Sequence, residues 1–184
     1  MQVFDTTLQD VKVLRPARFG DDRGWFAEFY NLEKFASAGL PTRFVQDNQS
    51  RSSRGVLRGL HYQLGKPQGK LVRVVSGCIW DVVVDLRRDS PTFGQHEGFH
   101  LAPVNDAGEL QLLWIPEGFA HGFLVLSETA EVLYKTTDFY SPAGERAIAW
   151  DDPTLNIAWP LDGIVPSVSA KDAKATSFQS AELP

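Results

Sequence analysis

Short runs of β-branched and aromatic residues recur along this chain, each cut off by Gly, Pro, Asn or Asp: Trp25–Tyr30, Lys70–Ser76, Ile79–Leu86, Leu110–Ile115, Gly122–Leu126 and Glu131–Thr137. Segments of that length and composition suit a pleated, half-buried surface. So many strands with so few helical stretches predict an all-β, antiparallel chain, and pairing two sheets limits their exposed edges. The expected fold is a double-sheet jelly roll with a few short helices, whose interior is a natural ligand cavity. One segment reads as helix: Asn31 can cap it, Leu32, Phe35 and Ala36 form a narrow apolar stripe, and Gly39 with Pro41 stops it. A second, irregular helical piece is expected after Asp172, and the small, polar residues 173–184 read as a loosely packed arm.

At 184 residues the chain suits one compact domain with a real core. A formal charge of −5 argues against a nucleic-acid or anionic-membrane partner, since those surfaces select a basic excess. The start, Met1 to Lys12, lacks the basic and apolar regions of a secretion signal, and no run reaches the roughly 20 apolar residues of a membrane span. The cytoplasm is the default expectation. Cys78 is the only cysteine, which excludes an internal disulfide and a multi-thiolate metal site. Its place in the apolar run Val74 to Leu86 predicts a buried structural thiol.

The stretch Arg58-Gly59-Leu60-His61-Tyr62-Gln63 puts an arginine and a histidine in one short strand. A lone strand histidine is more often structural than catalytic. Strict alternation also puts Arg58 and His61 on opposite faces, so a shared site needs a bulge near Gly59. Further on, Pro116-Glu117-Gly118-Phe119-Ala120-His121-Gly122-Phe123 feeds a histidine into a strand through a tight turn. This resembles the second motif of the cupin superfamily, whose fold is the double-stranded β-helix or jelly-roll barrel. Metal-dependent cupins carry two histidines in their first motif; the equivalent here, His61-Tyr62-Gln63, has one, and His96 and His100 lie on another segment. About three ligands are needed to fix such a metal, and the expected places do not offer them.

What remains is acid–base chemistry. An unperturbed histidine titrates near pH 6.5, which suits His61 to proton abstraction. Tyr134, Thr136, Asp138 and Tyr140 share one parity, so two tyrosines and a carboxylate line one wall if the strand stays regular. For Tyr134 alone, a rim residue and a catalytic acid remain equally open. Lys70 shares a face with Val72 and Val74, which allows an inward ammonium, although a solvated lysine is the commoner case. Arg23, Arg51, Arg54, Arg58 and Arg73 form a basic supply suited to gripping a diphosphate.

Taken in order, several stretches resemble one family, the dTDP-4-dehydrorhamnose 3,5-epimerases. They are Asp21-Asp22-Arg23-Gly24-Trp25-Phe26 with Glu28, Phe44-Val45-Gln46-Asp47-Asn48, Arg58 through Gln63, and Gln68-Gly69-Lys70-Leu71-Val72-Arg73. Asp81 through Arg87, Pro116 through Phe123, Tyr134-Lys135-Thr136-Thr137-Asp138-Phe139-Tyr140, Ile148 through Pro153, Ile157 through Pro160 and Ser169-Ala170-Lys171-Asp172 complete the set. Each is weak alone; the ordered series is specific.

The resemblance implies a base, His61, paired with Asp172, an opposing acid, Tyr134, and Lys70 as oxyanion stabiliser with His121 nearby. It implies nucleotide-sugar contacts from Arg23, Glu28, Gln46, Asn48, Arg58, Glu145 and Lys171, with Tyr140 stacking on thymine. It also implies no cofactor, no metal, and a homodimer in which the N-terminal segment, with Arg23 and Glu28, serves the neighbouring site. The activity implied is epimerisation at C3 and C5 of dTDP-4-dehydro-6-deoxy-D-glucose in dTDP-L-rhamnose biosynthesis. A single-centre epimerase of a related deoxysugar is the nearest rival, with a metal-dependent cupin enzyme and a non-catalytic sugar-binding barrel behind it. Cys78 and the His96/His100 pair depart from the expected pattern and read as packing or surface variation.

Overall fold

The computed structural model describes all residues, Met1–Pro184. Its strands are β1 (Gln2–Asp5), β2 (Lys12–Arg15), β3 (Arg18–Asp21), β4 (Gly24–Ala27), β5 (Gln46–Ser53), β6 (Leu57–Gln63), β7 (Lys70–Ser76), β8 (Ile79–Asp85), β9 (His96–Leu101), β10 (Leu112–Ile115), β11 (Phe119–Val125), β12 (Thr129–Thr136) and β13 (Glu145–Ala147). They form a six-stranded sheet, β1-β2-β10-β7-β12-β5, and a five-stranded sheet, β13-β6-β11-β8-β9, with β3-β4 as a separate hairpin. All ladders are antiparallel, so the expected jelly roll is the fold observed.

Three apolar clusters follow from the two-residue alternation of the strands. Between the sheets lie Val72, Val74, Ile115 and Val132 from one and Ile79, Val83, Phe119 and Val125 from the other. The outer face of the six-stranded sheet, with Leu14, Leu71, Leu112 and Trp114, is covered by Phe35, Leu40 and Phe44. Phe35 belongs to the one helix, α1 (Leu32–Ser37), whose first turn is capped as expected: Asn31 accepts the Lys34 amide at 3.1 Å. Six residues are too few for a helix to stand alone, and burial of Phe35 edge-on to Tyr30 and Phe44 holds it. The expected stripe is narrower than predicted, because Leu32 is exposed.

The outer face of the five-stranded sheet, with Leu60, Tyr62, Val82, Val84 and Ala120, is covered by the C-terminal segment through Ile157, Trp159, Phe178, Ala181 and Leu183. Within the arm expected over 173–184, Phe178, Ala181 and Leu183 are half-buried against this face and most of the other residues are exposed. The arm fills an apolar face that no helix covers, and it is fastened by the Tyr62 hydroxyl donating to Glu182 O at 2.8 Å and by Arg146 on the Glu182 carboxylate. Buried Asp152 accepts the amides of Thr154, Leu155 and Phe178 at 2.8–3.0 Å. Asp152→Ala orphans the Leu155 and Phe178 amides and is expected to cost about 2–3 kcal/mol by urea denaturation; a cost under about 0.5 kcal/mol would refute this role.

Cys78 is half-buried, not buried. The apolar run is broken at Gly77, whose φ of +72° turns the chain between β7 and β8, and Cys78 sits in that turn.

Candidate active site

Strand β6 delivers Arg58, His61 and Gln63 to one cavity of about 320 Å³. Alternation alone forbids that for the first two. The register with β11 runs His121↔His61 and then Phe123↔Arg58, so Gly59 and Leu60 oppose the single residue Gly122. This is the bulge the spacing required. At Gly59 φ is +116°, and a Cβ would lie 2.5 Å from Gly122 Cα and 2.7 Å from His121 O, so only glycine fits.

His61 Nε2 meets Asp172 Oδ1 at 2.6 Å. Asp172 lies on a short 3₁₀ turn, Asp172–Lys174, whose first amide is anchored on the Ser169 hydroxyl at 3.0 Å. Burial pushes the Asp172 carboxyl up, but the His61 bond and charge, the Ser169 hydroxyl and the Gly59 amide together hold it below the usual carboxylate range. An ionised Asp172 fixes the tautomer: Nε2 carries the proton and Nδ1 is the nitrogen left free to accept one.

Tyr134 lines the same cavity from β12, in the opposite sheet. Burial raises its phenol above the ordinary value, against a downward pull from Arg58 and with a further push from Glu145, so it remains a neutral donor. Lys70, from β7, is 8% exposed, and burial lowers its ammonium to about 8 despite Asp81 and Glu145. Its Nζ donates to the His61 carbonyl at 3.3 Å. The inward lysine is thus the arrangement found.

A second carboxylate–histidine pair lies alongside. His121 Nε2 meets Asp81 Oδ2 at 2.7 Å, and Asp81 is wholly buried with Oδ1 unpartnered. Burial raises the Asp81 carboxyl, while His121 and Lys70 pull it down. Sequence reasoning gave Asp81 no role; the available signal was a carboxylate at core parity inside the apolar run of β8, which demands a partner.

At the mouth, Glu145 accepts the Tyr140 hydroxyl at 2.6 Å and pairs with Lys171. Gln46 donates to Asn48 at 2.9 Å and accepts the Tyr140 amide at 2.9 Å. Ser50 and Phe123, which the sequence did not single out, also line the cavity. The wall of two tyrosines and a carboxylate is corrected: β12 ends at Thr136, so parity lapses, and Asp138 turns back onto the Phe139 amide. The arginine supply is corrected too. Only Arg58 lines the cavity, bonded to Ser52, whereas Arg73 stacks over Phe29, Arg51 stands exposed by Glu131 and Arg54 lies near Ile164. Arg23 pairs with Asp21, and Glu28 with Lys34 and Asn31, outside the cavity.

No group of three or more His, Cys, Asp or Glu side chains gathers to hold a metal ion, and both cavity histidines already spend Nε2 on a carboxylate. A carboxylate-held histidine, a neutral phenol and a buried ammonium line one cavity of a jelly-roll barrel, a set of groups suited to acid–base chemistry. The family model described as dTDP-4-dehydrorhamnose 3,5-epimerase matches residues 5–180. The dTDP-4-dehydrorhamnose 3,5-epimerase of Pseudomonas aeruginosa is 54% identical over 183 residues, covering 99% of this chain and 98% of that protein. A dTDP-6-deoxy-D-glucose-3,5-epimerase from Legionella pneumophila, solved with dTDP-4-keto-L-rhamnose, superposes with a TM-score of 0.92 at 45% identity, covering 100% of this chain and 97% of that one. A 3′-monoepimerase from Streptomyces bikiniensis, solved with dTDP-quinovose, gives 0.86 at 34% identity, covering 96% and 87%. The chain belongs to the dTDP-4-dehydrorhamnose 3,5-epimerase family.

Proposed function

We infer that this protein epimerises dTDP-4-dehydro-6-deoxy-D-glucose at C3 and C5 to dTDP-4-dehydro-L-rhamnose. The observation that carries the reading is the His61–Asp172 pair and the Tyr134 phenol lining one cavity from opposite sheets. Both carbons adjoin the C4 carbonyl, so their protons are acidic and their removal leaves an enolate. His61 Nδ1 takes the proton, the Lys70 ammonium faces the developing oxyanion, and Tyr134 returns a proton to the opposite face of the carbon. The sugar is inverted without net oxidation, so no cofactor enters the balance.

Arg58, His121, Glu145 and Lys171 are the contacts proposed for the sugar diphosphate, with Gln46 and Asn48 beside them and Tyr140 stacking on the base. Arg23 and Glu28 act in this reading on the neighbouring site of a homodimer. Support for it comes from the β3-β4 hairpin, which exposes Phe19, Trp25 and Phe26, an apolar surface that a second subunit would cover. The reaction is proposed for the cytoplasm, where nucleotide sugars are consumed; no helix of the chain is long and apolar enough to cross a membrane.

The 3′-monoepimerase relative makes single-centre chemistry the specific rival. Turnover in D2O, followed by proton NMR of the product, decides between them. Deuterium is expected at both C3 and C5; label at one carbon alone would overturn the double epimerisation.

A further inference from the structure

We propose that Gln63 and Gln68 are positioning residues that hold the Tyr140 loop as a platform for the pyrimidine base, a role that rests on the stacking assigned to Tyr140 above. Phe139 and Tyr140 are 55% and 51% exposed, so core packing does not fix this loop. Hydrogen bonds do, those from glutamine side chains joining the Thr136 hydroxyl on Asp138 O and the Tyr140 hydroxyl on Glu145. The Gln68 amide donates to Asp138 O at 2.8 Å, and the Gln63 amide donates to Phe139 O at 3.2 Å and to Lys66 O at 2.7 Å. Gln63 Oε1 accepts the Ser141 amide at 2.8 Å, and Gln46 takes the Tyr140 amide between them.

Gln63 is 7% exposed, and both its amide hydrogens and its oxygen are engaged. A buried amide costs stability unless it is bonded this fully. These bonds cover four successive residues, 138–141, and set the loop backbone from both ends. The supporting strands matter as much as the bonds. Gln63 follows His61 by two residues on β6, and Gln68 precedes Lys70 by two residues at the start of β7. The platform is therefore indexed to the two strands that carry the base and the ammonium, and the span from nucleobase to reacting carbons is set by the scaffold. Binding energy gathered at the nucleoside can then be spent on placing the sugar ring.

The test uses dTDP, which carries the base and diphosphate but no sugar. Gln63→Glu keeps the acceptor for Ser141 but sets an anionic oxygen against the Phe139 and Lys66 carbonyls. It is expected to weaken dTDP binding, measured by calorimetry, about tenfold and to raise KM for the sugar nucleotide by more than it lowers kcat. Gln68→Ala is expected to do the same to a smaller extent, and it keeps the test alive if Gln63→Glu does not fold. In a Tyr140→Ala background either change should alter dTDP affinity less than twofold, because the ring through which it acts is gone. If the losses add in full to that of Tyr140→Ala, or if Tyr140→Ala weakens binding and neither glutamine change does, the positioning role is wrong. If Tyr140→Ala leaves dTDP affinity unchanged, the stacking assignment fails and this role falls with it.

Discussion

His61→Asn is expected to lower kcat about 10²–10⁴-fold, the usual contribution of a positioned general base, with a much smaller change in KM. Asparagine keeps a polar group beside Asp172 but cannot accept a proton at neutral pH. Because one base serves both carbons in the proposed reaction, deuterium incorporation at C3 and at C5 should fall together. Tyr134→Phe should behave differently. The base survives, so a proton can still be taken and returned from the His61 face, and substrate should exchange solvent deuterium without inversion at the carbon that depends on the phenol. A coupled assay with a 4-keto-reductase and NADPH measures turnover, and NMR of recovered substrate measures exchange. Retention of kcat within tenfold in His61→Asn would remove His61 from the chemistry. Asp172 adds a pH signature. Its carboxyl is held below its ordinary value of 3.8, so its stabilising contribution is full above that pH and is lost as pH falls through the lower folded value.

The strands legible in the sequence are those whose alternation is enforced by burial. β7 appears with its boundaries intact, and β8, β10 and β12 differ by one or two residues, because each presents aliphatic side chains to the core. β5 was invisible: Gln46–Ser53 is wholly polar, and its ladder with β12 is set by register at the cavity mouth, not by apolar burial. β1 shows no pattern because all four of its residues are exposed. β11 begins three residues before the predicted start, since Gly118, with φ of +86°, is the turn and Gly122 lies inside the strand where Gly59 approaches. The site was legible in a different sense. Spacing predicted that Arg58 and His61 needed a bulge, and the bulge is there. No periodicity could bring Asp172 to His61 across 111 residues; that pairing came through the family resemblance. The glutamine rack escaped notice because its bonds go to backbone groups, which the sequence does not display.

Lys70→Met is expected to lower kcat about 10²–10³-fold, the typical loss when an oxyanion stabiliser is removed, and yet to make the protein more stable at neutral pH. Burial lowers the Lys70 ammonium from 10.5 to about 8, so the unfolded chain holds this proton more tightly than the folded one. Between pH 8 and 10.5 the unfolded state therefore binds more protons, and stability contributed by this group rises with pH; below pH 8 the full penalty applies. At about 1.4 kcal/mol per pH unit the penalty is at most roughly 3.5 kcal/mol. Methionine removes it, less whatever Asp81 loses when the nearby cation disappears. Urea denaturation at pH 7 and pH 10 reads this directly: the advantage of the methionine variant should shrink as pH rises. The same proton governs activity. In the wild type kcat/KM should fall as pH passes about 8, where the free enzyme loses its ammonium, while kcat should hold to higher pH because the negative charge of the bound sugar diphosphate strengthens the proton's grip in the enzyme–substrate complex. A methionine variant less stable than wild type at both pH values, or one that keeps kcat within tenfold, would show that the buried charge is structural. The opposite result would show a buried cation kept at the expense of the fold, where an oxyanion gains most from it.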